Sequence, residues 1–255
     1  MAKRARLDLL LVERGLFETR SKALAAVMAG IVLVDGKPAL KAGEPVGEEA
    51  ELSLKSDPCP YVSRGGLKLR AALEAFRSIN VQGRVCLDVG ASTGGFTDCL
   101  LQAGAAKVYA IDVGTAQLHS KIKSDQRVVS RENVHAKNLV PEWFAPLPTL
   151  AVADVSFISL SQVLPFIIPC LAEPRELVVL VKPQFEVGPK LAPKGVVRDP
   201  AVRLQAVDKI RASAKALGLA ERGLIESPAK GPKGNVEFLL WLSPDENSVF
   251  AKMGL

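Results

Sequence analysis

The chain has 255 residues, of which 48% are hydrophobic, 24% charged and 5% aromatic, and its formal net charge at pH 7 is +6. This composition is typical of a globular protein with a full core, and it excludes a disordered chain, a collagen-like fibre and a coiled coil. The positive charge lies towards both ends: residues 1–42 hold eight Lys and Arg against four Asp and Glu, and residues 182–234 hold eleven against five. Two basic regions indicate a polyanion held at two places, although two solvated basic faces would give the same pattern.

We expect no membrane span and no secretory signal. The mean hydropathy is +0.19, but the best apolar stretch, residues 163–172, contains two prolines and is half the length of the roughly 20 apolar residues that a bilayer requires. Asp8 and Glu13 interrupt the apolar run behind the basic N-terminus, which is unlike a signal peptide.

The cysteines and histidines predict neither zinc nor disulfides. No CxxC spacing is present and the chain has two histidines, so we expect no metal site, and buried reduced thiols indicate a cytoplasmic protein. The four cysteines are Cys59, Cys86, Cys99 and Cys170.

The first part of the sequence predicts a small α+β unit. Three leucines at helical spacing, residues 7, 10 and 11, precede Gly15, which ends a first helix, and Thr19 caps a second helix over residues 20–29. Asp35 and Gly36 between two apolar runs predict a hairpin with a type I′ turn.

The prolines at positions 58 and 60 predict a stiff connector. We therefore divide the chain into a first domain at residues 1–56, a linker at 57–62 and a second domain at 63–255.

The first domain resembles the small RNA-binding domain first described in ribosomal protein S-four. The matching residues are 6–8 (RLD), 18–23 (ETRSKA) and the pattern of glycines and valines over 30–36. In that family, basic residues of the second helix contact RNA phosphates. The alternative interpretation of this segment is a small helical cap with an ordinary charged surface. The resemblance implies RNA contacts at Lys3, Arg4, Arg6, Arg20 and Lys22.

The second domain is predicted to be α/β, with a doubly wound, Rossmann-like sheet of seven strands. A helix is expected from the Asp199–Pro200 cap to about Leu217, and the last two strands suggest an antiparallel hairpin at the sheet edge. The predicted strands cover residues 84–90, 107–114, 127–133, 149–157, 176–184, 221–228 and 236–244.

A glycine-rich turn follows the first of these strands, over residues 88–95 (DVGASTGG), and Asp112 ends the next strand. Glycines permit close approach to backbone, and a carboxylate at that place can accept both ribose hydroxyls of an adenosine cofactor. The GxGxxG spacing of a dinucleotide site and the Lys-Ser/Thr of a P-loop are absent.

The turn resembles motif I of S-adenosylmethionine-dependent methyltransferases, and an unrelated glycine turn is the alternative. The resemblance implies S-adenosylmethionine as cofactor. Asn133 can contact the adenine edge or simply form a turn. The implied cofactor-binding residues are Asp88, Gly90, Ser92, Gly94, Gly95, Phe96, Asp112, Val113, Asn133 and Asp154.

Charged residues occur in or at the end of three apolar strands, where burial is costly without a partner. Asp154 interrupts one run, Lys182 ends another and Glu237 lies in a third. With Lys68 from the segment SRGGLKL, the order Lys, Asp, Lys, Glu resembles the catalytic tetrad of FtsJ-type RNA ribose methyltransferases. Structural ion pairing at strand ends is the alternative.

With both domains considered, essentially the whole chain resembles the TlyA family, whose members are labelled hemolysin A or 16S/23S rRNA 2′-O-methyltransferase. The resemblance implies 2′-O-methylation of cytidine in large-subunit rRNA, with the small subunit possible. It implies ribosomal RNA or ribosomal subunits as partner, and no obligate protein partner is evident.

Lys182 is then the residue expected to contact the ribose 2′-hydroxyl, either as base or by orienting its lone pair, and the sequence leaves both roles open. Phe157 is a candidate for stacking on a flipped base, or it belongs to the core. Arg64, Lys230 and Lys233 complete the expected RNA contacts. His119 and His135 are expected to be solvated or capping residues.

Two other functions are weighed. A pore-forming hemolysin is disfavoured by the expected lack of a span and a signal. A non-catalytic, RNA-binding ribosome-assembly factor is disfavoured by the presence of all four tetrad residues.

Overall fold

The computed structural model describes residues 4–28, 30–54 and 59–245. The chain divides into two compact units, residues 1–58 and 59–255, here called the N-terminal and C-terminal units. Prolines 58 and 60 of the expected linker lie on either side of this division, and Pro58 lies outside the described residues.

The N-terminal unit consists of short strands and two helices around a small core. Strand β1 pairs with β4, and β2 pairs with both β3 and β5, all antiparallel. The elements are β1 (Arg4–Arg6), α1 (Leu7–Glu13), α2 (Arg20–Met28), β2 (Val32–Val34), β3 (Lys37–Pro38), β4 (Pro45–Gly47) and β5 (Leu52–Leu54).

The predicted local structure of this unit is confirmed. Leu7, Leu10 and Leu11 are buried on α1, and the Thr19 hydroxyl accepts from the Lys22 N–H at the start of α2. In the turn between β2 and β3, residues 35 and 36 have φ of 50° and 72°, as a type I′ turn requires.

The C-terminal unit alternates strands with helices. Its helices are α3 (Gly65–Ala75), α4 (Gly95–Gln102), α5 (Ser120–Lys123), α6 (Leu164–Ile167), α7 (Pro183–Glu186) and α8 (Pro200–Ala216). Its strands are β6 (Val85–Val89), β7 (Lys107–Ile111), β8 (Val128–Arg131), β9 (Leu150–Ala153), β10 (Glu176–Val181), β11 (Leu219–Glu226) and β12 (Phe238–Pro244).

The sheet of this unit has the strand order β11-β12-β10-β9-β6-β7-β8. Strands β6 to β10 are parallel to one another, and β12 runs antiparallel between β10 and β11. The sheet is covered on both faces, because its side chains divide between two buried apolar clusters. The predicted α/β architecture, with seven strands and a terminal hairpin at the edge, is confirmed.

The longest described helix, α8, begins and ends where the sequence predicts. The Asp199 carboxylate accepts from the Ala201 N–H at 2.8 Å, and Gly218 follows the helix with φ of 78°. Among the described residues, no helix is both long and apolar enough to cross a bilayer.

One expectation about the thiols is wrong. Cys86, Cys99 and Cys170 are buried, but Cys59 is exposed, because it lies outside both apolar clusters of the unit. Burial raises the pKa of the Cys86 thiol to about 12.

Candidate functional site

The carboxyl ends of β6, β7, β9 and β10 meet at one edge of the sheet, where the topology of a doubly wound fold places ligands. The turn from β6 into α4 passes close to the end of β9. Gly90 has φ of 84°, and a Cβ on it would lie 2.6 Å from the Asp154 carbonyl oxygen. Only glycine fits there without displacing the backbone of the neighbouring strand.

Asp112, at the end of β7, is oriented by backbone donors. Its two carboxylate oxygens accept from the N–H groups of Ser92 and Gly114, each at 2.7 Å. Each oxygen keeps a second lone pair, so the carboxylate can also accept from the two hydroxyls of a ribose.

Two cavities open at this edge, and both are lined by Gly90, Ser92, Asp154 and Ser156. The first, of about 530 Å³, is polar on one side, where Lys68 and Lys182 line it. The second, of about 440 Å³, adds Asp112 and apolar side chains such as Val113 and Ile158. One continuous site therefore has a cationic end and an apolar end.

Lys182 leaves the end of β10 just before Pro183 starts α7. Its ammonium is 2.6 Å from Asp154 Oδ1 and donates to the Ser156 hydroxyl at 2.7 Å. The lysine side chain is 9% exposed and that of the aspartate 22%. The Asp154 contact is an ion pair, since Asp154 Oδ1 has no hydrogen-bond partner among the described residues, and the ammonium keeps donors for a further acceptor in the cavity.

Lys68, on α3, is paired with Glu237. The Lys68 Nζ is 2.5 Å from Glu237 Oε2, and the glutamate side chain has no exposed surface. Glu237 therefore lies behind Lys68 and does not line the cavity. The four tetrad residues meet at one site, as two lysine–carboxylate pairs.

Asp88 is fully buried and lines neither cavity. One carboxylate oxygen accepts from the Thr97 hydroxyl at 2.6 Å, and the other has no hydrogen-bond partner among the described residues. Burial, which the charges of Asp154 and Asp112 reinforce, raises the pKa of Asp88 to about 7.

The remaining cofactor residues predicted from the sequence divide into two groups. Ser92, Gly95, Phe96 and Val113 line a cavity. Gly94 and Asn133 do not: a Cβ on Gly94 would meet Leu118, and the Asn133 amide oxygen accepts from the Thr115 hydroxyl at 2.6 Å. The cofactor contacts of Gly94 and Asn133 stay predictions, since neither residue lines a cavity.

Phe157 is the most conspicuous side chain at the apolar end. It is 90% exposed, its φ is 63°, and its ring centroid lies 5.0 Å from that of Phe185. The alternative that Phe157 belongs to the core is therefore wrong. Exposed aromatic rings beside a ligand cavity are suited to stacking.

The loop that carries Phe157 is fixed by a buried carboxylate. Glu186, at the end of α7, accepts from the Leu160 N–H at 2.8 Å, from the Ser159 hydroxyl, and from Lys209 at 3.2 Å. These bonds tie the segment after β9 to the segment after β10, which bears both Lys182 and Phe185.

The basic residues predicted to bind RNA lie in different surroundings. Arg64 and Lys230 line the larger cavity, whereas the Lys233 ammonium donates to the Lys194 carbonyl at 3.0 Å. In the N-terminal unit, Arg4 is exposed on β1 and Lys22 is paired with Glu18. Lys3 lies outside the described residues.

Arg6 and Arg20 share one buried partner, Asp8. The Asp8 side chain is 1% exposed, and the two arginine side chains are 51% and 56% exposed. Arg6 donates through Nε at 3.1 Å and Nη2 at 3.0 Å, and Arg20 donates through Nε at 2.7 Å. Both arginines hold the pKa of Asp8 well below its usual range, most strongly through the Arg6 hydrogen bond.

Sequence reasoning missed Ser156, Phe185 and the anchoring role of Asp8. Ser156 follows Asp154 by two positions and Phe185 follows Lys182 by three. Proximity to a predicted catalytic residue is the sequence signal that could have identified both. The histidine prediction is confirmed: His119 and His135 each cap a short helix through the ring nitrogen Nδ1.

The site fits an adenosine cofactor with a sulfonium-bearing amino acid. Gly90 leaves no side chain between the cavity and the strand ends, and Asp112 presents free lone pairs. Asp154 places a carboxylate at the junction of the two cavities, where it can stabilise a positively charged group.

Comparisons with known proteins identify both units. Residues 61–243 match the FtsJ-like methyltransferase family and residues 5–52 match the S4 domain. The chain is 46% identical to the 16S/23S rRNA (cytidine-2′-O)-methyltransferase TlyA of Mycobacterium tuberculosis, over all of this chain and 96% of that one. It is 41% identical to Hemolysin A of Brachyspira hyodysenteriae, over 92% of this chain and 98% of the relative.

A solved structure agrees with these matches. A protein described as a hemolysin, from Streptococcus thermophilus, is 42% identical and superposes with a TM-score of 0.75 over 96% of this chain and 90% of its own. The chain belongs to the TlyA family, whose members join an S4 domain to an FtsJ-like methyltransferase.

Proposed function

We propose that the chain transfers a methyl group from S-adenosylmethionine to the 2′-oxygen of a cytidine in ribosomal RNA. The observation that carries this proposal is the pair of lysine–carboxylate contacts, Lys182–Asp154 and Lys68–Glu237, beside a cavity that continues to Asp112. The names of the curated relatives support ribosomal cytidine as the substrate. The cofactor, when bound, supplies an activated methyl group on a sulfonium.

A ribose hydroxyl is a weak nucleophile, so the residues of the site must hold its oxygen in line with the methyl carbon. Orientation of this kind is worth about 7–11 kcal/mol at best. Lys182 is the residue in position to do this, because it lines the cavity and its ammonium can donate to the substrate oxygen.

Of the two roles open to Lys182, the geometry supports orientation of the hydroxyl. Asp154 lies 2.6 Å from the ammonium and stabilises its positive charge, whereas a base lysine must be neutral. The transfer would release the hydroxyl proton, and the Asp154 carboxylate, which lies beside Lys182 and lines both cavities, would accept it.

Lys68, which also lines the larger cavity, supports this arrangement together with Glu237. Glu237 is buried and paired, so it fixes Lys68 at the cavity and offsets its charge. Lys68 can then contact the ribose or its phosphate.

The RNA contacts are assigned to both units. Phe157, next to Phe185, provides an exposed aromatic surface for the target base, and Arg64, Lys230 and Lys233 provide cations around the larger cavity. Arg4, Arg6, Arg20 and Lys22 of the S4 domain, with Lys3 outside the described residues, would hold other phosphates of the same RNA.

The test is transfer of labelled methyl from S-adenosylmethionine to ribosomal subunits prepared from a strain that lacks this activity. We expect one label per modified site, and digestion followed by mass spectrometry should identify 2′-O-methylcytidine. A label on a base, or on protein, would contradict the proposal.

The same assay separates the alternatives. A ribosome-assembly factor without catalysis would bind subunits and leave them unlabelled at any enzyme concentration. Leakage of dye from liposomes measures a hemolytic function directly, and we expect none.

A further inference from the structure

Two Pro-Lys-Gly turns in the C-terminal unit have the same backbone conformation. They occupy Pro193–Gly195 and Pro232–Gly234. The φ and ψ angles are 55° and 22° at Lys194 and 57° and 19° at Lys233, and each following glycine also has a positive φ. We call these two turns the PKG pair.

A lysine in the left-handed region is uncommon, since asparagine and glycine adopt it at lower cost. Two lysines at equivalent positions of two such turns are therefore an unexpected choice of residue. Backbone outliers of this kind cluster at functional sites.

The two turns are joined by Asn235, which is 2% exposed. Its amide nitrogen donates to the carbonyls of Gly195 at 2.9 Å and Pro232 at 3.0 Å, and its side-chain oxygen accepts from the Val197 N–H at 3.1 Å. The Lys233 ammonium adds a bond to the Lys194 carbonyl. The PKG pair is thus one connected surface.

The two segments that carry these turns are basic, although the exposed Asp199 directly follows the first and the exposed Glu226 directly precedes the second. Residues 187–198 and 227–236 contain five Lys and Arg and no Asp or Glu, and all five side chains are exposed. They are Lys190, Lys194, Arg198, Lys230 and Lys233.

The PKG pair is also continuous with the catalytic cavity. Residues 229–232 line that cavity, and Gly231 packs so closely on the Glu237 carboxylate that a Cβ there would overlap it. A ribose that reaches Lys182 carries a phosphate on each side, and those phosphates must lie at the rim of the cavity. An RNA enzyme therefore needs cations at the rim, where they bind phosphates and do not read the bases.

We propose that the PKG pair binds the sugar–phosphate backbone next to the target nucleotide, with Lys194 and Lys233 as its principal cations. This inference rests on the proposed function and adds a phosphate-binding surface to it. The RNA contacts already proposed at Arg64, Lys230 and Lys233 are thereby extended to Lys190, Lys194 and Arg198.

The test uses the double variant Lys194→Asn/Lys233→Asn in the full chain. Asparagine keeps the left-handed conformation and removes the charge, so the melting temperature should not fall. We expect the KM for ribosomal substrate to rise about tenfold, and the slope of log affinity against log salt to become shallower by about 2, one for each lost phosphate contact. The dissociation constant for S-adenosylmethionine should not change.

The double variant Lys123→Asn/Lys215→Asn is the matched control, because both lysines are exposed in the last turn of a helix, α5 and α8, and the pair loses the same two charges. An unchanged KM and salt slope in the double variant would overturn the inference. Failure of the proposed function would be recognised separately, since the unaltered chain would then transfer no methyl group.

Discussion

Lys182 illustrates how one residue can be both costly and useful. A nearly buried ammonium requires compensation, and Asp154 and Ser156 provide it at 2.6 and 2.7 Å. The same two contacts hold the ammonium at the cavity. In the proposed mechanism, Lys182 then contributes to the transition state through orientation and not through cofactor affinity.

We therefore expect Lys182→Met to lower kcat by about 10²-fold, the cost of a small misplacement of the reacting oxygen, with little change in S-adenosylmethionine affinity. Single-turnover transfer and calorimetric titration measure the two quantities. Lys215→Met serves as the control, and retained turnover in Lys182→Met would refute the assignment.

Asp88 gives a prediction about pH. Its pKa is about 7 in the folded chain, above the value of an unfolded aspartate, so the folded state binds more protons between about pH 4 and 7. The free energy of unfolding should therefore fall as pH rises through this window, by at most about 1.4 kcal/mol per pH unit from this residue, and level off above pH 7.

Asp88→Asn should remove this dependence, because an amide can still accept from Thr97 and does not titrate. Urea denaturation between pH 4 and 8 measures it, with the exposed Asp208→Asn as comparison. An identical pH profile in Asp88→Asn and the unaltered chain would show that Asp88 ionises normally.

The sequence predicted residues at strand ends better than residues in turns. Asp154 and Lys182 were recognisable because each lies beside a run of buried side chains, where a charge is costly. Gly94 was placed at the cofactor by the motif and Asn133 by its position after the third strand, yet neither lines a cavity, because the backbone of a turn directs each residue towards one wall or another. Such directions depend on φ and ψ, which sequence spacing does not specify.

At the scale of elements, β1, α1 and α2 of the N-terminal unit are linked by Asp8. Its carboxylate holds guanidinium groups from Arg6 on β1 and Arg20 on α2. A Cβ on Gly43 would lie 2.9 Å from Arg6 Nη2, so this glycine leaves room for the guanidinium. Asp8 thus positions two exposed cations while it cancels part of their charge.

These two effects predict opposite results for Asp8→Asn. If charge alone mattered, removal of a carboxylate would tighten RNA binding. We expect weaker binding, by several-fold, because the arginines lose their fixed orientation. Fluorescence anisotropy with an rRNA fragment measures the sign, and Glu13→Gln, an exposed site on α1, makes the same change in charge. Tighter binding by Asp8→Asn would exclude the positioning role.

The strands of the C-terminal unit were predictable because valine and leucine runs bounded by turn residues favour buried parallel strands. The order of these strands in the sheet was not predictable, except for the terminal hairpin. The insertion of β12 between β10 and β11 depends on pairing between segments far apart in sequence, and no local pattern encodes such a choice. That insertion places Glu237 beside Lys68, 169 positions away.

At the scale of the molecule, each unit has its own buried core. The core of the N-terminal unit is built from residues up to Val46, and the clusters of the C-terminal unit begin at Leu69. The residues assigned to the cofactor all belong to the second unit. Binding of S-adenosylmethionine should therefore stabilise the core of the C-terminal unit directly and not that of the N-terminal unit.

Differential scanning calorimetry tests this division. S-adenosylmethionine at 100 times its dissociation constant stabilises the state that binds it by about 2.7 kcal/mol. For a unit of this size such a gain corresponds to a rise of roughly 5–10 °C in melting temperature. We expect this shift in the transition of the C-terminal unit and none in that of the N-terminal unit. Asp112→Asn, which removes a charged acceptor for the ribose, should reduce the shift at the same ligand concentration. A shift shared equally by both transitions would show that the cofactor also stabilises the N-terminal unit, contrary to its assignment to the C-terminal unit alone.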